Sequence, residues 1–334
     1  MKQRVAIAGA TGAVGQEFLR ILAERDYPLQ SLRLMASARS AGREIHWQGQ
    51  VIVIEDLAKA SFAEVDVAFF SAGSAQRDQA RRAVAEGALV IDNSSAFRMD
   101  PDVPLVVPQV NPEAARTHKG LIANPNCSTI ILVMALAPLE REVRIRRLVI
   151  STYQAVSGSG AAAVAEWHAQ EAAAQRGEPL VHEVYPDPIH GNVIPFVQAF
   201  DDDALTTEEW KLVRETRRIL ARPDLAISAT CARVPVHRAH SEAVNIEFDR
   251  PVSPDEARTW LAGFPGVRVV DDPATLAFPT PRDADGIDEV LVGRVRRDPS
   301  LAAGLDLWLS GDQLRKGAAL NAVEIAELLL LQSA

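Results

Sequence analysis

Arg4-Val5-Ala6-Ile7-Ala8-Gly9-Ala10-Thr11-Gly12-Ala13-Val14-Gly15 is an apolar run that breaks into glycines three residues apart. Arg4 to Ala8 reads as a buried strand, and Gln16-Glu17-Phe18-Leu19-Arg20-Ile21-Leu22 carries apolar residues at helical spacing. Strand, glycine turn and helix in that order make a relative of G-x-G-x-x-G. Such glycines permit a tight turn, close approach of the backbone to a pyrophosphate, and close packing of helix on strand. A glycine motif alone is weak evidence. Its place between a first strand and a first helix gives it force.

Outward from this stretch the alternation continues. Leu32 to Ala36, Val51 to Ile54, Val65 to Ser71 and Ala88 to Asp92 read as strands, and Gln76 to Glu86 as a helix. The pattern predicts a parallel sheet with helices on both faces. NAD-binding sheets usually carry an acid after the second strand to hold the ribose 2′-hydroxyl. Here Ser37-Ala38-Arg39-Ser40-Ala41-Gly42 has none. Arg39 and Ser40 suit a 2′-phosphate, the plain alternative being a solvated turn. Asn93-Ser94-Ser95-Ala96-Phe97-Arg98 follows a strand's carboxyl end, where open α/β sheets bind ligands. Arg98 is a candidate anion ligand there, or one half of a surface ion pair.

Asn124-Pro125-Asn126-Cys127-Ser128-Thr129 precedes the apolar run Ile130 to Leu136. Pro125 keeps Asn124 out of the α region, and Asn126, Ser128 and Thr129 suit a helix start. Cys127 is therefore expected in or just before a first turn. Free N–H groups there favour thiolate and can hold an oxyanion. The alternative is a small buried hydrophobe. This helix is expected to stop near Pro138.

The character then changes. Arg144 to Gln154 reads as a long strand with Ile145, Arg147, Val149 and Ser151 on one face, and Ser157-Gly158-Ser159-Gly160 leads into an alanine-rich helix. Gly177 to Phe200 is proline-punctuated loop and Glu208 to Leu220 is helical, with Glu208 and Lys211 sharing a face. Strands Ala226 to Pro235 and Ala243 to Phe248 flank a turn holding His237 and His240. Val267 to Val270, Val290 to Arg296 and Leu305 to Ser310 add further strands, and Gln313 to Leu330 reads as an amphipathic helix returning to the first domain. The expectation is a Rossmann-like α/β dinucleotide-binding domain (residues 1–127 with 313–334) and an α+β domain of mostly antiparallel sheet (residues 128–312).

A chain of 334 residues accommodates two such cores. A net charge of −9 argues against nucleic acid or an anionic membrane as the main partner. No leader is read at Met1-Lys2-Gln3-Arg4, and no run approaches the ~18 apolar residues that span a bilayer, so a cytoplasmic enzyme is expected. Two cysteines, Cys127 and Cys231, leave no disulfide framework and no cysteine-based zinc site. No metal is expected.

These motifs, taken in order along the whole chain, resemble aspartate-β-semialdehyde dehydrogenase. The resemblance rests on the glycine turn, the Ala36 to Gly42 segment, Asn93 to Arg98 and Asn124 to Thr129. It continues through Tyr153-Gln154-Ala155-Val156-Ser157-Gly158, Glu208-Glu209-Trp210-Lys211, and Arg233 through His240-Ser241-Glu242. Ile131 departs from the family, which often has glutamine there.

The resemblance implies reversible conversion of aspartate β-semialdehyde, phosphate and NADP⁺ into β-aspartyl phosphate and NADPH, in lysine, methionine and threonine biosynthesis. It implies Cys127 as the nucleophile that forms a thioester, and His240 as an acid/base with a pKa near neutral. Gln154 would orient substrate, Arg233 would grip its carboxylate, and Glu208 would meet its amino group. Arg98 and Lys211 would hold phosphate. Thr11, Gly12, Ala13, Val14, Arg39, Ser40, Ser157, Gly158 and Gln313 would line NADP. A homodimer through the second domain is also implied.

N-acetyl-γ-glutamyl-phosphate reductase shares the chemistry, but its acylated substrate needs no carboxylate such as Glu208. Glyceraldehyde-3-phosphate dehydrogenase is disfavoured by the Arg39 region. A non-catalytic binding subunit has no reason to keep Cys127, Gln154, Arg233 and His240 together, and a cysteine hydrolase would leave the glycine turn unused.

Overall fold

The computed structural model describes residues 2–73 and 76–332. Gln3–Ala8 is the first strand, β1, and Ala13–Glu24 the first helix, α1. The turn between them needs its glycines. Gly9 has φ +92°, and a Cβ there would lie 2.3 Å from the Ser71 carbonyl oxygen. A Cβ on Gly15 would lie 2.3 Å from the Gly9 carbonyl oxygen, so any side chain would push helix from strand.

The remaining strands of this unit are Leu29–Ala36 (β2), Glu44–Trp47 (β3), Gln50–Val53 (β4), Glu55–Asp56 (β5), Val67–Phe70 (β6), Leu89–Asp92 (β7) and Leu121–Ala123 (β8). Helix α2, Arg77–Ala85, precedes β7. Six of the strands form one sheet in the order β5-β2-β1-β6-β7-β8, all pairs parallel. The order reverses between β1 and β6, and the glycine turn sits at the carboxyl end of β1 beside that switch point. Phe18 of α1 stacks on Phe69 of β6 within the core, ring centroids 4.7 Å apart.

Val51 to Ile54 departs from expectation. It is not a strand of the parallel sheet but β4, one arm of a separate antiparallel hairpin with β3. Gln48 and Gly49 between them both have positive φ, the signature of a tight two-residue hairpin turn. Val51 and Val53 are exposed in consequence.

The chain divides into two compact units, Met1–Asn126 with Gly317–Ala334, and Cys127–Lys316. Cys127 thus opens the second unit where it was expected to close the first, and Gln313 to Lys316 stay with the second. Met1 and residues 333 and 334, the outer limits of the expected first domain, lie outside the described residues. The last helix begins at Leu320, not Gln313, because Asp312 Oδ1 caps the N–H groups of Leu314 and Arg315 in a turn and Arg315–Ala319 winds as a π-helical segment. Leu320, Val323 and Ile325 join the core of β1 and α1. Residues 320–323, 325 and 326 are all buried, so the first half of this helix is not amphipathic.

In the second unit α3 spans Cys127–Glu142 and runs straight through Pro138. Ser128 through Leu139 are buried, and that burial outweighs the ~3 kcal/mol that an interior proline costs. The other elements are β9 (Ile145–Gln154), α4 (Ala161–Arg176), α5 (Thr207–Ile219), β10 (Ala226–Arg233), β11 (His240–Phe248), α6 (Pro254–Ala262), β12 (Val267–Val269), α7 (Pro281–Ala284), β13 (Val290–Arg297) and β14 (Gly304–Gly311). The sheet order is β10-β9-β11-β14-β13-β12. Its inner pairings are antiparallel, but both edge strands pair in parallel, so the sheet is mixed. Helices α3, α5 and α6 pack on it.

Along β9 one residue, Ile145, departs from the face expected for it. Leu148, Ile150, Thr152 and Gln154 are buried while Arg147, Val149 and Ser151 face outward. Ile145 rejoins the buried face because the pairing slips: Glu247 opposes Arg147 but Phe248 opposes Ile145.

Candidate active site

Arg233 is the last residue of β10, Gln154 the last of β9 and His240 the first of β11. Because β9 pairs parallel to β10 and antiparallel to β11, these three residues come to one edge of the sheet. All three are buried. His240 was expected on a turn between strands; it instead begins the strand, and its orientation is therefore fixed by sheet pairing.

Gln154 Nε2 donates to Ser128 Oγ at 2.8 Å and to Glu208 Oε1 at 3.0 Å. Ser128 follows Cys127 in the first turn of α3, so Gln154 ties the sheet edge to the helix start that carries the thiol. Glu208 is presented by the first turn of α5, whose start is fixed by a capping box between Thr206 and Glu209. Lys211, three residues on, donates to Glu208 Oε2 at 2.9 Å and to Gln198 Oε1 at 2.6 Å. This pair is largely buried, unlike the exposed i, i+3 pair that is its simplest alternative.

Arg233 NH1 donates to the Ala155 carbonyl at 2.6 Å, and His240 Nδ1 accepts from the Ala155 N–H at 3.0 Å. The backbone of one residue, Ala155, thus holds both side chains. With Nδ1 accepting, the neutral ring carries its proton on Nε2, and Nε2 is buried without a hydrogen-bond partner among the described residues. Burial and the Arg233 charge lower the His240 pKa to about 3, with Glu208 opposing. That departs from the near-neutral value expected: His240 stands here as a neutral N–H donor. His237 is exposed and packs against Trp167 and His168.

Cys127 is partly exposed at the head of α3, where the helix N-terminus favours an anion. Cys231 is the contrast. It is buried, and burial together with Glu208, Glu209 and Glu242 pushes its thiol well above the usual range. Of the two sulfurs, only Cys127 has a setting suited to a nucleophile.

Some features of the site were not legible. Gly158 packs on both held side chains: a Cβ there would sit 3.1 Å from His240 Cε1 and 3.2 Å from Arg233 NH1. Ala239, just before His240, has φ +69°. Its N–H is held by Gln313 Oε1 at 2.7 Å, while Gln313 Nε2 donates to Ser157 Oγ at 2.7 Å. A strained backbone next to His240 is thus braced by Gln313, whose amide is used at both ends.

The first unit holds the other candidates. Thr11, Gly12 and Ala13 are exposed and Val14 half-buried at the start of α1, which has no side-chain cap on its free N–H groups. An anion fits such a start, and Gly12, where a Cβ would meet nothing nearer than the Gly9 carbonyl oxygen at 3.4 Å, leaves the backbone open to close approach by a dinucleotide pyrophosphate. Ser40 is buried, whereas Arg39 is exposed and makes no hydrogen bond or ion pair among the described residues. Arg98 is buried and donates to the carbonyls of Asn93 at 2.6 Å and Asn124 at 2.9 Å. It therefore belongs to the first unit and Lys211 to the second. Among the described residues no cluster of three or more His, Cys, Asp or Glu is placed to hold a metal, and no helix is long and apolar enough to cross a membrane.

Residues 4–118 match the family model of the semialdehyde dehydrogenase NAD-binding domain, and residues 136–316 that of the semialdehyde dehydrogenase dimerisation domain. Aspartate-semialdehyde dehydrogenase of Synechocystis sp. is 50% identical over 328 residues, covering 98% of this chain and 97% of its own. The Aquifex aeolicus enzyme is 47% identical, covering 99% and 98%. The crystal structure of aspartate semialdehyde dehydrogenase II from Vibrio cholerae complexed with ASA is similar at a TM-score of 0.96 and 42% identity, covering 99% and 98%. That of the Candida albicans enzyme with NADP is similar at 0.77 and 28%, covering 98% of each chain.

Proposed function

The chain belongs to the aspartate-semialdehyde dehydrogenase family, and from that premise we propose the part each residue plays. It is an oxidoreductase with a nicotinamide-dinucleotide-binding domain and a dimerisation domain. The proposed reaction interconverts aspartate β-semialdehyde and β-aspartyl phosphate with NADP, in a homodimer. The observation that carries it is the meeting of Arg233, Gln154, His240 and Glu208 in one buried place. An amino-acid substrate needs a cation for its carboxylate, an anion for its ammonium and a donor for its carbonyl oxygen, and these residues supply all three.

Cys127 Sγ attacks the aldehyde carbon, the S–C bond forms, and the carbonyl pair moves to oxygen, where His240 Nε2–H donates to it. Burial is the main cause that holds the His240 pKa low and Arg233 the lesser one, so the ring acts first as a neutral N–H donor to the developing oxyanion. NADP, when bound, would supply the hydride acceptor or donor for the substrate carbon. Thr11 to Val14, Arg39, Ser40, Ser157, Gly158 and Gln313 are read as its lining. Phosphate is the ligand proposed for Lys211 and for Arg98, and its attack on the thioester carbon breaks the C–S bond and returns the thiolate.

The test is NADP⁺ reduction by the purified protein with aspartate β-semialdehyde, with and without phosphate, for wild type and Cys127→Ala. Sustained phosphate-dependent turnover, absent in the variant, is expected. Turnover on the N-acetylglutamate semialdehyde alone, or turnover surviving Cys127→Ala, would reject the reading.

A further inference from the structure

Behind the row Arg233, Gln154 and His240 lies a second row on the same face of the sheet. Cys231 pairs with Thr152, and Thr152 with Glu242. Glu242 is fully buried, and neither carboxyl oxygen has a hydrogen-bond partner among the described residues. The titratable groups around it are Glu208 and Glu209 on α5, Cys231 and Arg233 on β10, and His240 two residues away on its own strand. Arg233 is already engaged with Ala155, and Glu208 with Lys211.

Gln154 is the diagonal cross-strand neighbour of Glu242, a separation that two long side chains span. Its Nε2 is committed to Ser128 and Glu208, which fixes the way the amide faces. Its Oε1 is buried and also lacks a donor. An ionised Glu242 accepts only and can do nothing for Oε1; a protonated carboxyl has one O–H, and that proton gives Gln154 Oε1 its donor and leaves one uncharged carbonyl oxygen of the three orphan atoms.

We propose that Glu242 is a positioning residue that works as a neutral carboxylic acid, donating its O–H to Gln154 Oε1. Burial and the neighbouring Glu208 both push this carboxyl well above its usual range, which agrees. The consequence is a division of labour between two buried carboxyls: Glu208 keeps the charge for the substrate ammonium, and Glu242 stays uncharged and locks the amide that faces the substrate. This deepens the function proposed above and rests on its assignment of Gln154 and Glu208.

The experiment is infrared spectroscopy of the full-length protein at neutral pH, together with kinetics. A protonated-carboxyl C=O band that Glu242→Gln removes and Asp92→Asn leaves in place is expected. Glu242→Leu should lower kcat about 5- to 10-fold by freeing Gln154, and Glu242→Gln, whose amide still donates, should recover most of that loss. Absence of such a band, or a Gln variant as impaired as the Leu variant, overturns the proposal. Should Glu242→Gln not fold, Gln154→Leu must shift the band, since Gln154 Oε1 is the acceptor proposed for this O–H; an unshifted band overturns it equally. If band and rescue appear but Glu208→Gln leaves the KM for semialdehyde unchanged, the role given to Glu208 fails while that of Glu242 stands.

Discussion

Gly158→Ala is the sharpest probe of the site. The added Cβ would meet His240 Cε1 at 3.1 Å, Arg233 NH1 at 3.2 Å and His240 Nε2 at 3.3 Å, where ordinary contact begins at 3.4 Å. Something must therefore yield by about 0.3 Å. Neither neighbour retreats freely, since both are bonded to the backbone of Ala155, Arg233 to its carbonyl at 2.6 Å and His240 to its N–H at 3.0 Å. Straining or tilting one such bond forfeits up to its net worth of about 0.5–1.5 kcal/mol, or roughly a 2- to 13-fold loss. We expect kcat/KM for the semialdehyde to fall within that span. Gly158 does not have positive φ, so the gain of about 0.4–1 kcal/mol from a stiffer unfolded chain roughly offsets that bond and Tm should change little. The assay is steady-state kinetics beside a thermal melt. Unchanged kcat/KM would mean that His240 and Arg233 are not fixed as described, and a matching fall in Tm would mean that the damage is to the fold.

Arg39→Ala should raise the KM for NADP⁺ and leave that for NAD⁺ little altered, because this exposed guanidinium serves no structural partner; equal losses would dismiss a 2′-phosphate contact. Arg233→Leu should weaken semialdehyde binding by roughly 2–5 kcal/mol and abolish a single-turnover hydride burst, whereas Lys211→Leu should raise the KM for phosphate and largely spare the burst. Exchanged outcomes would exchange the two assignments. His240 makes stability depend on acid. Its folded pKa of about 3 lies below the ordinary 6.5, so the unfolded chain binds a proton there that the native chain refuses. The contribution is complete above 6.5 and drains as pH falls toward 3, by ~1.4 kcal/mol per unit, so His240→Asn should flatten that limb of the urea midpoint against pH. Glu242 has the opposite sign: its raised pKa costs stability as pH rises, and Glu242→Gln should gain on wild type in that direction.

The glycine turn was legible because steric exclusion leaves few residues that fit it, and the helix start at Cys127 because cap chemistry is local. What escaped was decided at long range. Pro138 reads as a stop, yet burial of the whole helix overrides it. Val51 to Ile54 has strand composition, but a two-residue turn sends it into a hairpin outside the main sheet. The meeting of Arg233, Gln154 and His240 depends on β10 pairing parallel to β9, which no local pattern announces. The resemblance named these residues; it could not reveal that one residue's backbone, that of Ala155, holds two of them, or that Gly158 leaves room beside them.

The first unit takes its last helix from beyond residue 316. During synthesis its sheet must therefore wait while about 190 residues of the second unit are made, roughly 10–40 s at ~5–20 residues per second. The later-made unit, continuous in the chain, completes first. Until Leu320, Val323 and Ile325 emerge, the apolar surface of Val5, Ile7 and Phe18 lacks part of its cover. The nascent chain thus passes through an interval in which chaperone capture or misassociation centres on the cofactor-binding half, although that half left the ribosome first.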